Sequence, residues 1–492
     1  MSKISRYLFL LAIGNVVWMS GCGGAATAPV TPVMPPSTYT VVAISDIHFN
    51  PLANPALFAS LEAQPASQWQ SIFATDQSAN PVPPATFGAD TNYPALVLAI
   101  AALKQNLGSS PAILFSGDML GHDLSQCFYE LYTASSLPSQ LNPAKCPLNP
   151  TTTAPETAAM QSFLDKTIAF ISIEIRNNVG NVPVIFVPGN IDTYNITGTG
   201  PDAQFLSDNA STYYTQLLNS SVDQTLFRST FTTLGSYSAQ LPGSKLLVIA
   251  LDSNPFAESP YLPPLDPYAE LTWLDSQLAA AQSAGQKVWL IMHVPPGANT
   301  TGIAQRVGTF TSSTQITDDE AAMMWQPQFE TQFMQILSKY PGLIAMGITG
   351  HTHMDEFRVL PTGDVLYGIP GISPVFRNNP AFKIFTVAQA TQMPMDYQSI
   401  GYNLAASTAP AQFNSLYTFS TAYAATPNTT LESSFQHLYP QLATTAPDTA
   451  TFLNYYVSSS PWNMANTANW ALYSCGFSQM DEQDYVDCVN SY

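Results

Sequence analysis

Histidine placement constrains this chain more than any other feature. Only six histidines occur in 492 residues. Five of them, His48, His122, His293, His351 and His353, follow short apolar, β-branched runs or the loops those runs feed. The runs are 39–44, 112–115, 182–187, 245–251, 287–292 and 343–348, and most stop at a polar or glycine-rich turn. Continuous apolar runs of this length fit strands buried on both faces. Helical patterns lie between them: Leu164, Ile168, Ile171 and Ile175 share one face, as do Leu271, Leu274 and Leu278. Strands alternating with helices predict an α/β layered fold, with polar groups collecting beyond the carboxyl ends of the strands. A further pair of runs, 365–369 and 383–387, reads as a hairpin. From about 403 the runs stop and aromatic residues recur, which predicts a small, mostly helical C-terminal subdomain over 403–492.

The charge balance removes one class of function. Fourteen Lys and Arg stand against 33 Asp and Glu, for a net charge of −19. So few cations cannot neutralise a run of phosphates, so nucleic-acid binding through a basic face is excluded. With 46% hydrophobic residues a core is readily built, and disorder is not implied.

The first 22 residues read as a targeting segment. Lys3 and Arg6 precede an uncharged stretch from Tyr7 to Met19, too short to span a bilayer. Met19-Ser20-Gly21-Cys22 then resembles a bacterial lipoprotein cleavage site. The resemblance implies a lipidated Cys22, export, membrane attachment through that residue and an outer-membrane destination. Residues 23–38, rich in Ala, Thr and Pro, read as a tether. The four other cysteines, Cys127, Cys146, Cys475 and Cys488, allow three pairings in an oxidising compartment. The local one, Cys127–Cys146 with Cys475–Cys488, is the expectation.

The chemistry-bearing motifs occur in order: Asp46-Ile47-His48, then Gly117-Asp118 with Gly121-His122-Asp123, then Gly189-Asn190, His293 and Gly350-His351-Thr352-His353. Each is weak alone. Together their mixed carboxylate, amide and imidazole donors suit a pair of metal ions. The ordered set resembles the calcineurin-like metallophosphoesterases over about residues 39–390. That resemblance implies a four-layer αββα sandwich, a catalytic domain over 39–402 and a two-metal centre. Asp46, His48 and His353 correspond to ligands of one ion, Asp118 to the bridging carboxylate, and Asn190, His293 and His351 to ligands of the other. Zinc is the metal the resemblance favours, and manganese or iron would suit the same donors. The nucleophile it implies is a hydroxide shared by the two ions.

One position departs from the family pattern. Many members carry a histidine directly after the Gly-Asn motif, whereas this chain has Ile191. His122 is then the remaining candidate for the proton donor to the leaving group, with Asp192 and Asp123 as supporting groups. Within the family, the run from Gly117 to Asp123, the run from His351 to Phe357 and the segments 87–94 and 372–382 resemble the acid sphingomyelinase-like phosphodiesterases. That branch's saposin-like module is missing, which puts lipid extraction in doubt.

The function expected from the resemblance is hydrolysis of phosphodiesters, with a lipid headgroup, a nucleotide or a polyphosphate as substrate. A phosphomonoesterase, or a nucleotide- or polyphosphate-cleaving enzyme, is the rival within the class. A catalytically weak, metal-dependent binding protein at the cell surface is the rival outside it, made plausible by Ile191. Arg358 and Arg377 read as members of surface ion pairs, with contact to a substrate phosphate as the alternative that the scarcity of cations suggests. The C-terminal aromatics Phe452, Tyr455, Tyr456, Trp462 and Trp470 read as core, with a substrate- or membrane-facing groove as the alternative.

Overall fold

The computed structural model describes residues 37–492 except 134–156, 196–197, 220, 242–243, 260–262, 309–314, 319, 407–410 and 443–445. Cys22, the leader, nearly all of the tether and Cys146 therefore lie outside the described residues.

Among the described residues, twelve strands form two six-stranded mixed sheets. The first contains β1 (Thr38–Ile44), β2 (Ile113–Phe115), β3 (Val184–Phe186), β10 (Ala381–Ala388), β11 (Pro394–Gly401) and β12 (Asn414–Thr418). Its order is β12-β11-β10-β1-β2-β3, with β1, β2 and β3 parallel and the others antiparallel. The second contains β4 (Tyr237–Gln240), β5 (Leu246–Ala250), β6 (Lys287–Ile291), β7 (Ile344–Thr349), β8 (Phe357–Val359) and β9 (Val365–Gly368). Its order is β4-β5-β6-β7-β9-β8, with β5, β6, β7 and β9 parallel.

Side-chain alternation stacks the layers. Leu246, Val248 and Ala250 of β5 and Trp289 and Ile291 of β6 enter the core shared with the first sheet. Their neighbours Ile249, Val288 and Leu290 face the other way, into a second core. There they meet Leu271, Leu274 and Leu278 of the helix Pro267–Ser283 and Phe329 and Phe333 of the helix Pro327–Ser338. A strand of period two thus serves a sheet on one face and helices on the other. Helices Tyr93–Asn106 and Ala158–Val179 add Leu96, Ile100, Leu164, Ile168, Ile171 and Ile175 to the first core. The Ala158–Val179 helix starts where the Thr157 side chain accepts from the Met160 N–H, and Asp266 with Pro267 starts the one on the other side. The result is the α/β layered fold the alternation predicts, helix–sheet–sheet–helix.

Two expectations are corrected. The runs at 365–369 and 383–387 are not a hairpin: β9 pairs with β7 and β8 in the second sheet, whereas β10 pairs with β1 and β11 in the first. The chain between them crosses from one sheet to the other. The region after 403 is not free of strands. β12 extends the first sheet by pairing with β11. Its polar composition, Asn-Ser-Leu-Tyr-Thr, conceals it because an edge strand buries only part of its surface. The helices that follow bury Phe435, Phe452 and Trp470, and the turn after one of them Phe477, in the same core as Phe357 and Tyr367. Cys475 and Cys488 are bridged, joining the helices Trp470–Gly476 and Glu482–Asn490. Cys127 is also disulfide-bonded.

Candidate metal centre

Parallel strands deliver their carboxyl ends to one edge, and here both sheets do so at the same place. β1 leads to Asp46 and His48, β2 to Asp118, β3 to Asn190, β6 to His293 and β7 to His351 and His353. Hydrogen bonds stitch the ends together: Asp46 N–H donates to the Gly117 carbonyl, His48 N–H to that of Asp118 and Gly350 N–H to that of His293. Five of these residues, Asp46, His48, Asp118, His351 and His353, have φ between 41° and 72°. Left-handed backbone costs a side-chain-bearing residue about 1 kcal/mol, and it concentrates where function needs a set direction. The glycines admit this crowding. A Cβ on Gly189 would fall 2.0 Å from Asp118 Oδ1, and one on Gly117 would fall 2.8 Å from His293 Nδ1.

All seven expected donors converge. His48 Nε2 lies 3.3 Å from Asp118 Oδ2 and 3.6 Å from Asp46 Oδ1. His353 Nε2 lies 3.5 Å from Asp46 Oδ1 and 3.1 Å from His48 Nε2. On the other side of Asp118, His293 Nε2 is 3.1 Å from Oδ2 and 3.0 Å from Asn190 Oδ1. His351 Nδ1 is 2.9 Å from the same amide oxygen. Asp118 Oδ2 is common to both groups. All but Asn190 and His351 are essentially buried.

The second nitrogens decide what this cluster can do. His48 Nδ1 is 3.0 Å from the Leu120 carbonyl, His293 Nδ1 is 2.7 Å from that of Ser116, and His353 Nδ1 is 3.0 Å from that of Ser373. A carbonyl can only accept, so each Nδ1 carries a proton, and in its neutral form each ring points a lone pair inward from Nε2. With every ring neutral, lone pairs would face lone pairs, most plainly between His48 and His353, unless a proton or a metal cation lies between them. Such an arrangement suits a cation between them, with the outer hydrogen bonds fixing the tautomers. Among the described residues, Asp46–His48–His353 and Asp46–Asp118–His293 are geometrically able to hold a metal ion. A third such group, His48–Asp90–His122, is better read as a hydrogen-bonded pair, because both Asp90 oxygens are already taken by His122.

Without a cation the field is divided. Burial opposes charge on His48 and His293, but Asp118 beside them overrides it and raises each imidazole to about 9. Burial lowers His351 to about 4, with His293 adding repulsion. Burial likewise lowers His353 to about 3, against the pull of Asp46 and with repulsion from His48. Burial would raise Asp118, but His293 and His48 hold its carboxyl well below the usual range.

His122 stands beside the centre. Its ring stacks on His48 with centroids 4.1 Å apart, and its side chain is 28% exposed. Asp90 holds it through both His122 Nδ1 (2.9 Å) and the His122 backbone N–H (2.7 Å). That leaves Nε2 free to hold or pass a proton. In the sequence, only its place in the 87–94 segment signals Asp90. Asp192 proves to be the hub of the loops: its carboxylate accepts N–H bonds from Asp118, Met119, Leu120 and Gly189. Ile191 offers its backbone instead of a side chain, donating N–H to Asp118 Oδ1 at 2.8 Å.

Asp123 is exposed next to His122 in the chain. Arg358 departs from expectation: it is buried, with Nη2 donating to the Ala298 carbonyl and 3.5 Å from Glu356. Phe452, Tyr456 and Trp470 are core residues, whereas Trp462 is 51% exposed.

No family model matches the chain. Among curated proteins it is similar to sphingomyelinase phosphodiesterase D of Dictyostelium discoideum, 27% identical over 61% of this chain and 58% of that one. It is 25% identical to the human acid sphingomyelinase-like phosphodiesterase 3b over 51% of this chain and 56% of that one. It is 24% identical to the bovine sphingomyelin phosphodiesterase over 58% of this chain and 45% of that one. The chain thus spans about half the length of the curated relatives it matches. A dimetal phosphatase structure from Danio rerio aligns with 75% of this chain and 96% of its own, at 12% identity and a TM-score of 0.39.

Proposed function

We propose that this chain, a relative of the acid sphingomyelinase-like phosphodiesterases within the calcineurin-like metallophosphoesterases, is an exported hydrolase of phosphodiesters that works with two divalent metal ions. The observation that carries the reading is the convergence of inward-facing imidazole lone pairs on both sides of Asp118. In this reading Asp46, His48 and His353 would hold one ion and Asn190, His293 and His351 the other, with Asp118 as the carboxylate that would serve both. Zinc is the proposed metal, with manganese or iron compatible with the donors. When bound, the metals supply Lewis-acid activation of the nucleophile and neutralise charge on the phosphate oxygens.

The protein's own groups do the rest. The Leu120, Ser116 and Ser373 carbonyls keep the imidazoles in the ligating tautomer. Asp192 clamps the loops that carry Asp118 and Asn190. His122, steadied by Asp90, donates a proton from Nε2 to the departing alkoxide. Its partial exposure lets it recover that proton from water. The catalytic machinery lies within residues 39–402. Export and membrane attachment through lipidated Cys22, by way of the 23–38 tether, complete the proposal.

Hydrolysis of bis-p-nitrophenyl phosphate by metal-loaded protein tests the reading. Turnover of the diester faster than of p-nitrophenyl phosphate is expected. No turnover of either, with two metals bound, would leave the binding-protein alternative standing, and faster monoester cleavage would overturn the diesterase assignment. A mature N-terminus other than acylated Cys22 would refute the anchor.

A further inference from the structure

The mouth of the centre carries a cation that the hydrolytic reading leaves unused. Phe376 and Arg377 lie on the crossover between β9 and β10, and both are exposed. The Phe376 ring meets those of His353 and His122 edge-on, with centroids 4.7 and 5.9 Å away. Arg377 is the next residue, one Cα–Cα step of about 3.8 Å away, which puts its backbone at the rim of the same site. Its φ of 67° is left-handed. Two bonds hold the strained turn: the Arg377 N–H donates to the Pro374 carbonyl, and the Ser460 hydroxyl donates to the Arg377 carbonyl.

The guanidinium is held in an unusual way for so acidic a chain. It lies over the indole of Trp462, 4.8 Å from the ring centroid. Among the described residues, the Lys and Arg ion pairs are Lys339–Asp275, Arg358–Glu356 and Lys383–Asp355, and Arg377 is in none of them. With 33 acidic residues against 14 basic ones, a carboxylate partner would be the default. An aromatic face instead orients the planar group without neutralising it. The fork keeps its charge and its N–H donors for a ligand at the rim.

We propose that Arg377, steadied on Trp462, is a specificity-determining residue that receives a second anionic group of the substrate, a phosphate or similar oxyanion away from the scissile phosphorus. This rests on the hydrolytic reading above. A guanidinium bonds such an oxyanion through paired N–H donors, and a charge-assisted contact at an exposed rim gives a preference of about tenfold that salt erodes.

A matched pair of substrates isolates the contact. The p-nitrophenyl ester of thymidine 5′-phosphate, with and without a 3′-phosphate, keeps the scissile bond and leaving group constant. For metal-loaded full-length protein, kcat/KM should be about tenfold higher with the 3′-phosphate, mostly through KM, and the preference should shrink with added NaCl. Arg377→Gln should bring the ratio close to one. Trp462→Ala should lower it in part and Trp462→Phe should restore it. An unchanged ratio in Arg377→Gln, or an equal loss on both esters, overturns the proposal. Calorimetry with thymidine 3′,5′-bisphosphate provides a readout that needs no turnover: Arg377→Gln must bind it more weakly than wild type. If the wild type binds it but cleaves neither ester, the hydrolytic reading fails while the contact stands.

Discussion

Two buried polar clusters lie side by side in this protein and are built on opposite plans. In the metal centre, imidazole lone pairs face carboxylates, an amide oxygen and one another. Two residues past His353 begins the other cluster, where Asp355 Oδ1 meets Lys383 Nζ at 2.7 Å, both side chains at most 2% exposed. There every donor finds an acceptor. Lys383 also donates to the Gly368 carbonyl at 2.8 Å and lies 4.5 Å over the Tyr397 ring. The Tyr417 hydroxyl donates to Asp355 Oδ2 at 2.8 Å and sits 2.7 Å from that of Tyr397. The second cluster closes on itself and acts as scaffold, tying β10, β11 and β12 to the loop after β7. The first, with its imidazoles neutral, leaves lone pairs at its centre that a proton or a metal cation must satisfy. Burial and polarity alone do not distinguish them. The direction of the lone pairs does.

The largest expected effect comes from the shared carboxylate. Asp118→Asn should cut kcat by on the order of a thousandfold or more, as several kcal/mol of metal assistance is lost. Elemental analysis should show less than two metals per chain. Full metal content with near-normal turnover would break the comparison at its first term.

Lys383→Met tests the other cluster. It strands a buried carboxylate, so urea denaturation should register a loss of about 3–5 kcal/mol. The double variant Lys383→Met/Asp355→Asn should recover much of it. A cost under about 1 kcal/mol would mean the pair is not scaffold.

His122→Ala should slow alkyl phosphodiesters about a hundredfold and p-nitrophenyl esters far less, because only the poor leaving group needs the proton. Equal losses on both would make His122 an orienting group instead.

The smallest effect is on stability against pH in chelator-treated protein. His48 and His293 titrate near 9 when folded and near the ordinary 6.5 when unfolded, so their contribution is full below about 6.5 and is lost as pH rises through 9. His351 and His353 are lowered to about 4 and about 3, so stability is also lost as pH falls from about 6.5 toward those values. Tm should peak near pH 6.5 without metal. Metal-loaded protein should resist the alkaline decline, because its ligands bind deprotonated. Parallel curves with and without metal would show that the cluster does not couple to a cation.

The apolar runs announced β1, β2, β3, β5, β6 and β7, because strands buried on both faces must be apolar throughout. The same rule hid β4, β11 and β12, whose residues Ser238, Gln240, Asp396, Gln398 and Ser415 stand at edges or half-exposed faces. It also misled at 365–369 and 383–387, where closeness in sequence suggested a pairing that the two-sheet architecture denies. The seven converging donors were legible because their residue types are rare and ordered. Asp90 was not, since one aspartate in a loop resembles any other. Arg358 was read as a surface residue because nothing local reveals that β8 is enclosed.

The sequence by itself determined the strands that carry the chemistry and the order in which the carboxylates, the amide and the imidazoles occur. Those follow from local composition: apolar runs must be buried, and the glycines beside them permit tight turns. Only the tertiary structure decided which way each imidazole faces, that Asp90 holds His122, that Asp192 joins two loops, and that Arg377 rests on an aromatic ring rather than a carboxylate. Those depend on contacts between residues far apart in the chain, where distance and direction set the energy and neighbouring sequence carries no record of the partner.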